Sequence, residues 1–459
     1  MNYLFISMLI FINVLQAFTL GLAGKPHQQV ILENTIPKEY LNHLEVKRIA
    51  SRYRLRLWQL AAVYSVLSFS LLLLSYESLQ LTAFWLLLFS SLTTTYLCKI
   101  YFIREMRRLL VRNQWQSLIM PKRIDTALII NKNQRMVPIY WLHLSYILSF
   151  PLAWYTMRVS DLSTASILLA SSTGLFLFML VNYYYIGRIP AKSLTSDSEL
   201  NQTYNDLTKH SWSFLTILIN WLMLPLLFLP IFMSQTSGLL AYSLIVIYSC
   251  LLLFMVFFTI AYLYHLRKKQ DRLLMQSFDF RYSGEDQYWT YGVYINPNDP
   301  KLFVPDRIGM NIGINLGKTS GKIIMSITIF LLVATFFMTV IPTYLYDFTA
   351  NPLRFKKTQE TILLSAPFAP TATIPLESIQ IVELVDSLPN QLTKTVGIAT
   401  DNYAIGRFNI NNRTSYLYID YRSSPILKIQ TNTIDYYYTN KQSKQTLSLY
   451  RLLEIPKDN

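Results

Sequence analysis

The residues that come closest to a chemical motif are 313–319, which read GINLGKT and end in the Gly-Lys-Thr of phosphate-binding loops. In such a loop four residues separate the two glycines, so that backbone N–H groups surround a phosphate while the lysine reaches it. Only three residues separate Gly313 from Gly317, and Ile312 stands where the first glycine belongs. The spacing therefore excludes a nucleotide site. Gly309, Gly313 and Gly317 would instead line one face of a helix and allow a neighbouring backbone to approach closely.

No other combination of residues in the chain indicates catalysis. The sequence contains no His/Glu metal pair, no activated nucleophile and no paired carboxylates within an apolar run. Cys98 and Cys250 lie within apolar runs or near their ends, at a spacing that suggests no metal site, and two cysteines cannot build a disulfide framework. We therefore predict no catalytic, cofactor-binding or metal-binding residues, and a protein that is not an enzyme.

Polar side chains inside the apolar runs are few, and three of them define a candidate polar path: His143, Asn182 and Asn220. Such a path could serve a transporter or a lipid-handling protein, which is the alternative function. Ion-coupled transporters usually carry an ionisable group within the membrane, and no Asp, Glu, Lys or Arg lies in the middle of any run. His143, beside Trp141 and Tyr146, is more typical of an interfacial anchor. The two asparagines are typical of hydrogen bonds between helices.

The elements that must position these residues are apolar helices. The chain has 459 residues, of which 52% are hydrophobic and 15% charged, and its mean hydropathy is +0.28. This composition is typical of integral membrane proteins, in which a spanning helix needs about 20 mostly apolar residues. Eight runs meet this requirement: Leu4–Leu22, Leu57–Ser75, Leu79–Ile100, Ile139–Met157, Thr164–Tyr185, Trp212–Met233, Leu239–Tyr264 and Ile323–Leu345.

The first run has a second interpretation, as a signal peptide. Ala23 and Gly24 are small residues near its end, as at a cleavage site. However, no charged residue precedes the run, and it is longer than the apolar region of a typical signal peptide. We therefore expect this run to remain as a membrane span.

The net charge of +15 is unevenly distributed along the chain. Lys and Arg concentrate in the segments after the first, third, fifth and seventh runs. The short connections after the second, fourth and sixth runs hold a single basic residue, Arg158. This positive-inside pattern predicts cytoplasmic basic loops in the cell membrane, with the N-terminus and everything after Leu345 extracytoplasmic. The basic residues then orient the helices and meet anionic head groups of the bilayer. No nucleic-acid-binding module accompanies them, so nucleic acid is not an expected partner.

Two of these basic segments carry secondary-structure signals of their own. Ile49, Tyr53 and Leu57 share one face of the segment Ile36–Leu57, and basic residues occupy the other faces, which predicts a helix lying along the inner leaflet. The segment Ile124–Ile130 has the β-branched, alternating character of a short strand.

Gln287–Lys322 is a polar, aromatic and turn-rich insert between the seventh and eighth runs. Asn296-Pro297 and Asp299-Pro300 each predict a turn, because Asn and Asp side chains accept hydrogen bonds from the backbone two residues on. The aromatic residues around these turns would pack at head-group depth; a cofactor or peptide pocket is the alternative interpretation. The residues of this loop motif are Trp289, Tyr294, Asn296, Pro297, Asp299, Pro300, Phe303, Pro305, Arg307, Gly309, Gly313 and Gly317.

The loop resembles the hallmark segment of a family of multi-pass membrane proteins of Gram-positive bacteria, with the pattern Tyr-x-Asn-Pro-x-Asp-Pro, then Phe-Val-Pro-Lys-Arg, then Gly and an Asn-containing stretch. Asp306 departs from it, since the usual residue there is basic. Residues 36–39, Ile-Pro-Lys-Glu, and the Arg-rich helix after them also resemble the first cytoplasmic loop of that family. Some relatives belong with the SdpI-like membrane proteins, so the resemblance implies toxin immunity or signalling. The matching loop residues are Tyr294, Asn296, Pro297, Asp299, Pro300, Phe303, Val304, Pro305, Arg307, Gly309 and Asn315.

From Ser378 onward the sequence predicts a β domain that ends in one helix, Lys441–Leu453, with Leu447, Tyr450 and Leu453 inward. Asn411-Asn412 is a hairpin signal. Together with the run GIATDNYAIGRFNINNRTSYLYIDYRSSPILKIQT, this pattern resembles bacterial PH-like domains, which implies a small barrel capped by its helix. The predicted strands are Ile379–Val385, Tyr403–Ile410, Ser415–Tyr421, Pro425–Gln430 and Ile434–Thr439.

The predicted fold class is therefore an all-α membrane bundle of eight helices with an extracytoplasmic PH-like domain. We expect a non-enzymatic protein that serves in sensing, signalling or immunity and binds a peptide, a protein or a partner membrane subunit through that domain. The predicted boundaries are residues 1–264 for the seven-span region, 265–322 for the cytoplasmic loop domain, 323–345 for the eighth helix, 346–377 for a linker and 378–459 for the PH-like domain.

Overall fold

A computed structural model describes the chain except for residues 1, 116–129, 131–132, 160–161, 235, 237, 278, 280–283, 390–391, 411–412 and 454–459. It contains two compact units. The terminal unit comprises Met1–Ile12, Val63–Ser90 and Phe330–Asn459, and the central unit comprises Asn13–Ala62 and Ser91–Ile329. Each unit has its own hydrophobic clusters.

Apolar helices make up most of the chain before residue 350. Their sequences are rich in Leu, Ile, Phe and Tyr and place almost no charge within the long runs, as a helix surrounded by hydrocarbon requires. The described helices are α1 Asn2–Gly21, α2 Leu44–Leu67, α3 Glu77–Arg112, α4 Tyr140–Ile147, α5 Ser149–Val159, α6 Leu162–Arg188, α7 Ser198–Ser234, α8 Gly238–Met275 and α9 Thr319–Phe348.

Among the residues that the structure describes, seven helices are long and apolar enough to cross a membrane, which indicates a multi-pass membrane protein. The fourth predicted span, Ile139–Met157, falls on the two short helices α4 and α5. Pro151 accounts for the break at Leu148, because proline has no N–H to donate to the carbonyl of Ile147 and its ring crowds that carbonyl. The seven segments are Tyr3–Gly24, Leu44–Leu73, Glu77–Arg112, Leu162–Arg188, Ser198–Met233, Tyr242–Met275 and Thr319–Phe348.

The basic helix predicted at Ile36–Leu57 differs from the observed α2. The helix begins at Leu44 and continues through the start of the predicted second span. Tyr53 and Leu57 are fully buried in the main hydrophobic cluster of the central unit. The shared face of Ile49, Tyr53 and Leu57 is therefore a packing face against protein and not a lipid-facing one. The predicted strand at Ile124–Ile130 falls on residues of which 124–129 lie outside the described part of the chain.

Two small hairpins complete the central unit. β1, Val30–Ile31, pairs antiparallel with β2, Asn34–Thr35. β3, Phe303–Pro305, pairs antiparallel with β4, Ile312–Ile314. The first hairpin follows α1 along the chain, and the second lies in the segment between α8 and α9.

The terminal unit contains the β domain, built from a three-stranded sheet, β5-β6-β7, and a six-stranded sheet with the order β8-β12-β13-β11-β10-β9. All neighbouring strands are antiparallel except β11 and β13. The helix α10, Ser443–Leu453, ends the described chain. The strands are β5 Arg354–Lys357, β6 Thr361–Ser365, β7 Ala372–Pro375, β8 Ile379–Val385, β9 Leu392–Ala399, β10 Tyr403–Ile410, β11 Arg413–Asp420, β12 Ile426–Thr431 and β13 Asp435–Tyr438.

Both sheets bury their inner faces in one cluster. Ile362 and Ile374 from the small sheet pack with Tyr403 and Tyr418 from the large sheet, and Leu453 of α10 joins them. Residues 346–377, predicted as a linker, therefore hold three strands of the domain itself. Among the described strands, β8 and β9 remain at the ends of the large sheet, so the pairings do not close it into a barrel.

One local prediction for the domain needs correction. Leu447, predicted to face inward from α10, is 36% exposed, while Thr446 is fully buried. The inward face of α10 is therefore carried by Thr446, Leu449, Tyr450 and Leu453. The predicted hairpin residues Asn411-Asn412 lie outside the described residues, although Ile410 and Arg413 on either side of them are paired.

Replacing Ile374 tests whether β5–β7 belong to the domain. Ile374 is fully buried and Thr373, its neighbour on β7, is exposed. We expect Ile374→Ala to destabilise the domain by about 2–5 kcal/mol, since it removes buried methyl groups and leaves a cavity. Thr373→Ala is the matched control and should change stability by less than about 0.5 kcal/mol. Thermal unfolding of the full chain in detergent measures both; equal effects would contradict the assignment of these strands.

Candidate functional site

The central unit contains a hairpin, residues 27–36, that is almost entirely removed from solvent. Residues 30–36 are all buried. Its two-residue loop is Leu32-Glu33, and both residues have positive φ, 50° and 58°. A left-handed conformation costs an ordinary residue about 1–2 kcal/mol, and loops of this kind usually use Asn-Gly. The surrounding structure must therefore hold this buried hairpin in place.

Glu33, at the tip of the buried hairpin, forms an ion pair with Lys99 of α3. The distance between Glu33 Oε1 and Lys99 Nζ is 2.7 Å, and the side chains are only 1% and 7% exposed. Lys99 Nζ also donates to the carbonyl of Gly292 at 3.3 Å. Because an unpaired charge is costly in a low-dielectric interior, each member of this pair requires the other.

Asp286 binds the second strand of the hairpin. Its carboxylate accepts hydrogen bonds from the backbone N–H and the hydroxyl of Thr35, both at 2.8 Å. Arg307, a residue of the predicted loop motif, pairs with the same carboxylate at 2.5 Å. Arg307 also donates to the carbonyl of Glu33 at 2.8 Å. The segment 284–318, which we call the motif loop, is thus joined to the hairpin by charged hydrogen bonds.

Arg107 of α3 also joins the buried hairpin to the motif loop. Its Nε donates to Asn34 Oδ1 at 3.2 Å, and its two Nη atoms donate to Thr290 Oγ1 and the carbonyl of Asp286, both at 2.6 Å. Every nitrogen of this guanidinium group is therefore bonded to the hairpin or to the motif loop.

His27, at the start of the buried hairpin, is bound to α8. Its Nδ1 lies 2.8 Å from Asp271 Oδ1, and its Nε2 lies 3.0 Å from Gln28 Nε2. Burial lowers the pKa of His27 even though Asp271 favours the charged form. A neutral ring that donates from Nδ1 and accepts at Nε2 fits both contacts. Arg267 adds hydrogen bonds from α8 to the carbonyls of Pro26 and Ile308, at 3.1 and 3.0 Å.

The turns predicted in the motif loop are present. Asn296 Oδ1 accepts from the N–H of Asn298, and Asp299 Oδ1 accepts from the N–H of Lys301, both at 3.0 Å. Tyr294 donates its hydroxyl to Asp299 at 2.9 Å. Burial raises the pKa of Tyr294 above its usual value. The turns at Pro297 and Pro300 are therefore held by the side chains of Asn296 and Asp299.

Asn315 closes the motif loop. Its Oδ1 accepts from the N–H of Asn296 at 3.0 Å, and its Nδ2 donates to the carbonyls of Asn296 and Lys301 at 2.8 and 3.1 Å. Two other aromatic residues of the motif loop pack nearby. Trp289 is buried, and the ring of Phe303 packs on that of Tyr185 of α6, with 4.6 Å between the ring centroids. Pro305 lies opposite Ile312 in the β3–β4 pair.

The glycines of the motif do not share a helix face. Gly309 lies in a turn with φ of 78°, Gly313 lies in β4, and Gly317 precedes α9. The predicted close approach is nevertheless present, because a Cβ on Gly317 would lie 2.4 Å from the carbonyl carbon of Asn296. A Cβ on Gly309 would lie 2.6 Å from His27 Nε2. The four-residue spacing indicated close contact, but with loop segments and not with a helix.

A small cavity lies beside this network, where Asp306 and Lys192 are among the residues that line it. Its volume is about 40 Å³, enough for about three water molecules at roughly 10–15 Å³ each. Burial, reinforced by the carboxylate of Glu33, raises the pKa of Asp306 to about 6, and burial lowers the pKa of Lys192. Asp306 accepts hydrogen bonds from the N–H groups of Gly309 and Met310 at 2.8 and 3.0 Å.

The three residues of the candidate polar path have separate contacts. Asn220 is buried and donates to Ser145 Oγ of α4 at 2.5 Å, a hydrogen bond between helices. Asn182 donates to the carbonyl of Phe178 within its own helix, at 2.9 Å. His143 is exposed, bonds the carbonyl of Ile139 at 3.1 Å, and packs edge-on against Phe176. The structure does not bring these side chains together.

Sequence reasoning missed the charged core of this site. Glu33, Arg107, Asp271 and Asp286 lie in polar or basic parts of the sequence where no local pattern indicates a site. The one available signal was Lys99, a lysine within the predicted third span, where a charge needs a partner. Among the described residues, no group of three or more His, Cys, Asp or Glu side chains could hold a metal ion.

The β domain of the terminal unit matches a known family. Residues 353–445 match the family model described as Bacterial PH domain. The chain carries a bacterial PH domain at its C-terminus. The match begins at Leu353, just before β5, in agreement with the strands found in the predicted linker. No curated protein matches the chain, and no solved structure matches it.

Removing one member of the buried ion pair tests its contribution. Lys99→Met leaves the carboxylate of Glu33 buried and unpaired, so we expect a loss of about 3–5 kcal/mol in the free energy of unfolding. The double variant Lys99→Met/Glu33→Gln should recover most of that loss. The exposed pair Arg52–Glu105, at 2.6 Å, is the control, and Arg52→Gln should cost at most about 1 kcal/mol. Thermal unfolding in one detergent compares them, and additive effects of the two core substitutions would contradict the coupling.

The raised pKa of Asp306 predicts a pH-dependent contribution to stability. The folded protein binds the proton more tightly than the unfolded chain, so this carboxyl group destabilises the fold progressively as the pH rises from about 4 to about 6. Asp306→Asn mimics the neutral form and retains an acceptor for the two N–H groups. The melting temperature of the variant minus that of the wild type should therefore increase over this window and stay constant above about pH 7. A constant difference from pH 4 to 7 would contradict the shift.

Proposed function

We propose that this chain is a non-enzymatic protein of the bacterial cell membrane that binds an extended peptide or protein segment through its PH domain. Its concrete use would be sensing, signalling or immunity to a secreted peptide, as the resemblance of the motif loop to the Gram-positive family and the SdpI-like proteins implies. The observation that carries the binding proposal is a free edge of the large sheet at β8, which pairs only with β12 among the described strands.

A free strand edge presents unpaired backbone N–H and C=O groups, to which an extended peptide can add as a further strand. In β8, Val382–Val385 pair regularly with β12, and the irregularity in that pairing lies nearer the start of the strand. The charge of Glu383 is matched by Lys428 at 2.6 Å. Ile381 is 49% exposed and offers an apolar side chain beside the edge.

The opposite edge, β9, is less suited to such pairing. Its register against β10 shifts in the middle of the strand, between Arg407 and Phe408 on the β10 side, and Lys394 is exposed. Bulges and lysines are the features by which natural sheets prevent another strand from adding. Val396 on β9 is 49% exposed, like Ile381, so the two positions form a matched pair.

The PH domain is also firmly attached to the helices of its own unit, as a binding domain that reports to a membrane protein requires. Glu77, in the first turn of α3, accepts from the N–H of Asn402 at 2.8 Å. Lys441 of the PH domain donates to the carbonyl of Asp347, near the end of α9, at 3.1 Å. The hydroxyl of Tyr403 donates to the carbonyl of Tyr346 at 2.9 Å.

The proposal also requires the PH domain to lie outside the cytoplasm. The distribution of Lys and Arg supports cytoplasmic basic loops and an extracytoplasmic PH domain, where a secreted peptide would be accessible. The alternative, a transporter with a path along His143, Asn182 and Asn220, receives no support from the separate contacts of those residues.

Site-specific photo-crosslinking in living cells tests the proposed edge. A benzoylphenylalanine at position 381 should give a discrete crosslinked species with a peptide or protein, whereas the same group at position 396 should not. Glu383→Pro, which disrupts the β8 edge, should abolish the crosslink from position 381. Equal crosslinking from both positions, or none from 381, would contradict the proposal.

Binding of a secreted peptide also requires the PH domain to lie on the outer side of the membrane, which cysteine labelling tests. In a background with Cys98 and Cys250 replaced by serine, Thr373→Cys in the PH domain should react with a membrane-impermeant maleimide in intact cells. Asn298→Cys in the motif loop should react only after permeabilisation. Both positions are exposed, so the reverse result would place the PH domain in the cytoplasm and overturn the extracytoplasmic role.

A further inference from the structure

The exposed face of α3 changes character toward its C-terminal end. Leu97 and Tyr101 are exposed apolar residues, 57% and 59% accessible. The next residues along that side are Arg104, Arg108 and Arg112, which are also exposed and are spaced four apart. Residues at this spacing lie above one another on a helix. Together with Arg107 and Val111 they line a surface groove of about 420 Å³, which we call the arginine groove.

The length of α3 places this groove beyond the apolar part of the span. The helix has 36 residues, which at about 1.5 Å per residue corresponds to about 54 Å. The hydrocarbon core of a bilayer is about 30 Å thick. When the apolar segment before Lys99 lies in hydrocarbon, the last three turns of α3 reach the level of the head groups.

The positive charge of the groove is only partly neutralised by protein. Arg112 meets Glu45 at 3.2 Å, and Arg107 is directed to the hairpin and the motif loop. Arg104 lies over the ring of Tyr291, with 5.3 Å from its Cζ to the ring centroid. Within the part of the chain that the structure describes, neither Arg104 nor Arg108 forms an ion pair with a carboxylate.

We propose that the arginine groove binds the phosphodiester head group of an anionic phospholipid. The guanidinium groups of Arg104 and Arg108 donate to the phosphate oxygens, since planar guanidinium forks match that geometry and Arg is the preferred residue for it. The acyl chains then lie along Leu97 and Tyr101. Cation–π contact with Tyr291 fixes the direction of Arg104, so the groove is a defined site and differs from a diffuse basic surface.

The test uses the full chain in detergent, titrated with dioctanoyl-phosphatidylglycerol and followed by native mass spectrometry and by the melting temperature. The same titration with dioctanoyl-phosphatidylcholine and with inorganic phosphate distinguishes an anionic lipid from a zwitterionic one and from free phosphate. We expect saturable binding of the phosphatidylglycerol alone, and a dissociation constant about tenfold higher in Arg104→Gln/Arg108→Gln.

The matched control is Arg158→Gln, because Arg158 is also exposed and also lies over an aromatic ring, that of Trp154, at 5.3 Å. It should bind phosphatidylglycerol like the wild type. Arg104→Lys/Arg108→Lys retains the charge but not the forks and should weaken binding severalfold, which keeps the test valid if the glutamine variant does not fold. Equal binding of both lipids, equal loss in Arg158→Gln, or saturation by inorganic phosphate at the same concentration would overturn the proposal.

Discussion

The constraint on which the central unit depends is the burial of charge. Glu33 and Lys99 are almost completely removed from solvent, and a lone ion in such surroundings would cost several kcal/mol. Each charge is therefore stable only while its partner, from a distant part of the chain, stays within hydrogen-bonding distance. Asp286 and Arg307, both in the motif loop, form a second ion pair, and it binds the hairpin through Thr35 and the carbonyl of Glu33. Through these ion pairs and hydrogen bonds the buried hairpin, α3 and the motif loop stabilise one another.

The conformation of the hairpin illustrates this dependence. Leu32 and Glu33 adopt left-handed angles without being glycine, and Gln28 and Gln29 do the same at φ of 49° and 60°. In a hairpin exposed to water, nothing would offset the free-energy cost of four residues in this conformation. Here the cost is offset by the ion pair at Glu33, by the hydrogen bonds of Thr35 to Asp286, and by the buried apolar side chains Leu32 and Ile36.

Local features of the fold could be predicted from the sequence, and long-range ones could not. The bounds of β8 and β10 agree with the prediction because alternation is a property of the strand itself, and the turns at Asn296 and Asp299 agree because each side chain bonds the backbone two residues on. The pairs Glu33–Lys99 and His27–Asp271 join residues far apart in sequence, and nothing in the local pattern indicates them. The strands β5–β7 were not predicted, because they are short and lie between prolines. They are buried only because they pack against the larger sheet, a long-range contact that the local sequence does not indicate.

Within the buried network, the charged groups of Arg107, Arg307 and Asp286 keep little bonding capacity for a ligand. The three nitrogens of the Arg107 guanidinium group each bond a protein acceptor, Arg307 donates to Glu33, Thr35 and Asp286, and both oxygens of Asp286 are used. The neighbouring cavity has room only for water-sized occupants. A recognition site requires polar groups that are still able to form bonds. The β8 edge of the PH domain and the groove around Arg104 and Arg108 present such groups at the surface. In the motif loop, by contrast, the charged residues Asp286 and Arg307 already hold the hairpin. We therefore seek binding first at the two surface sites.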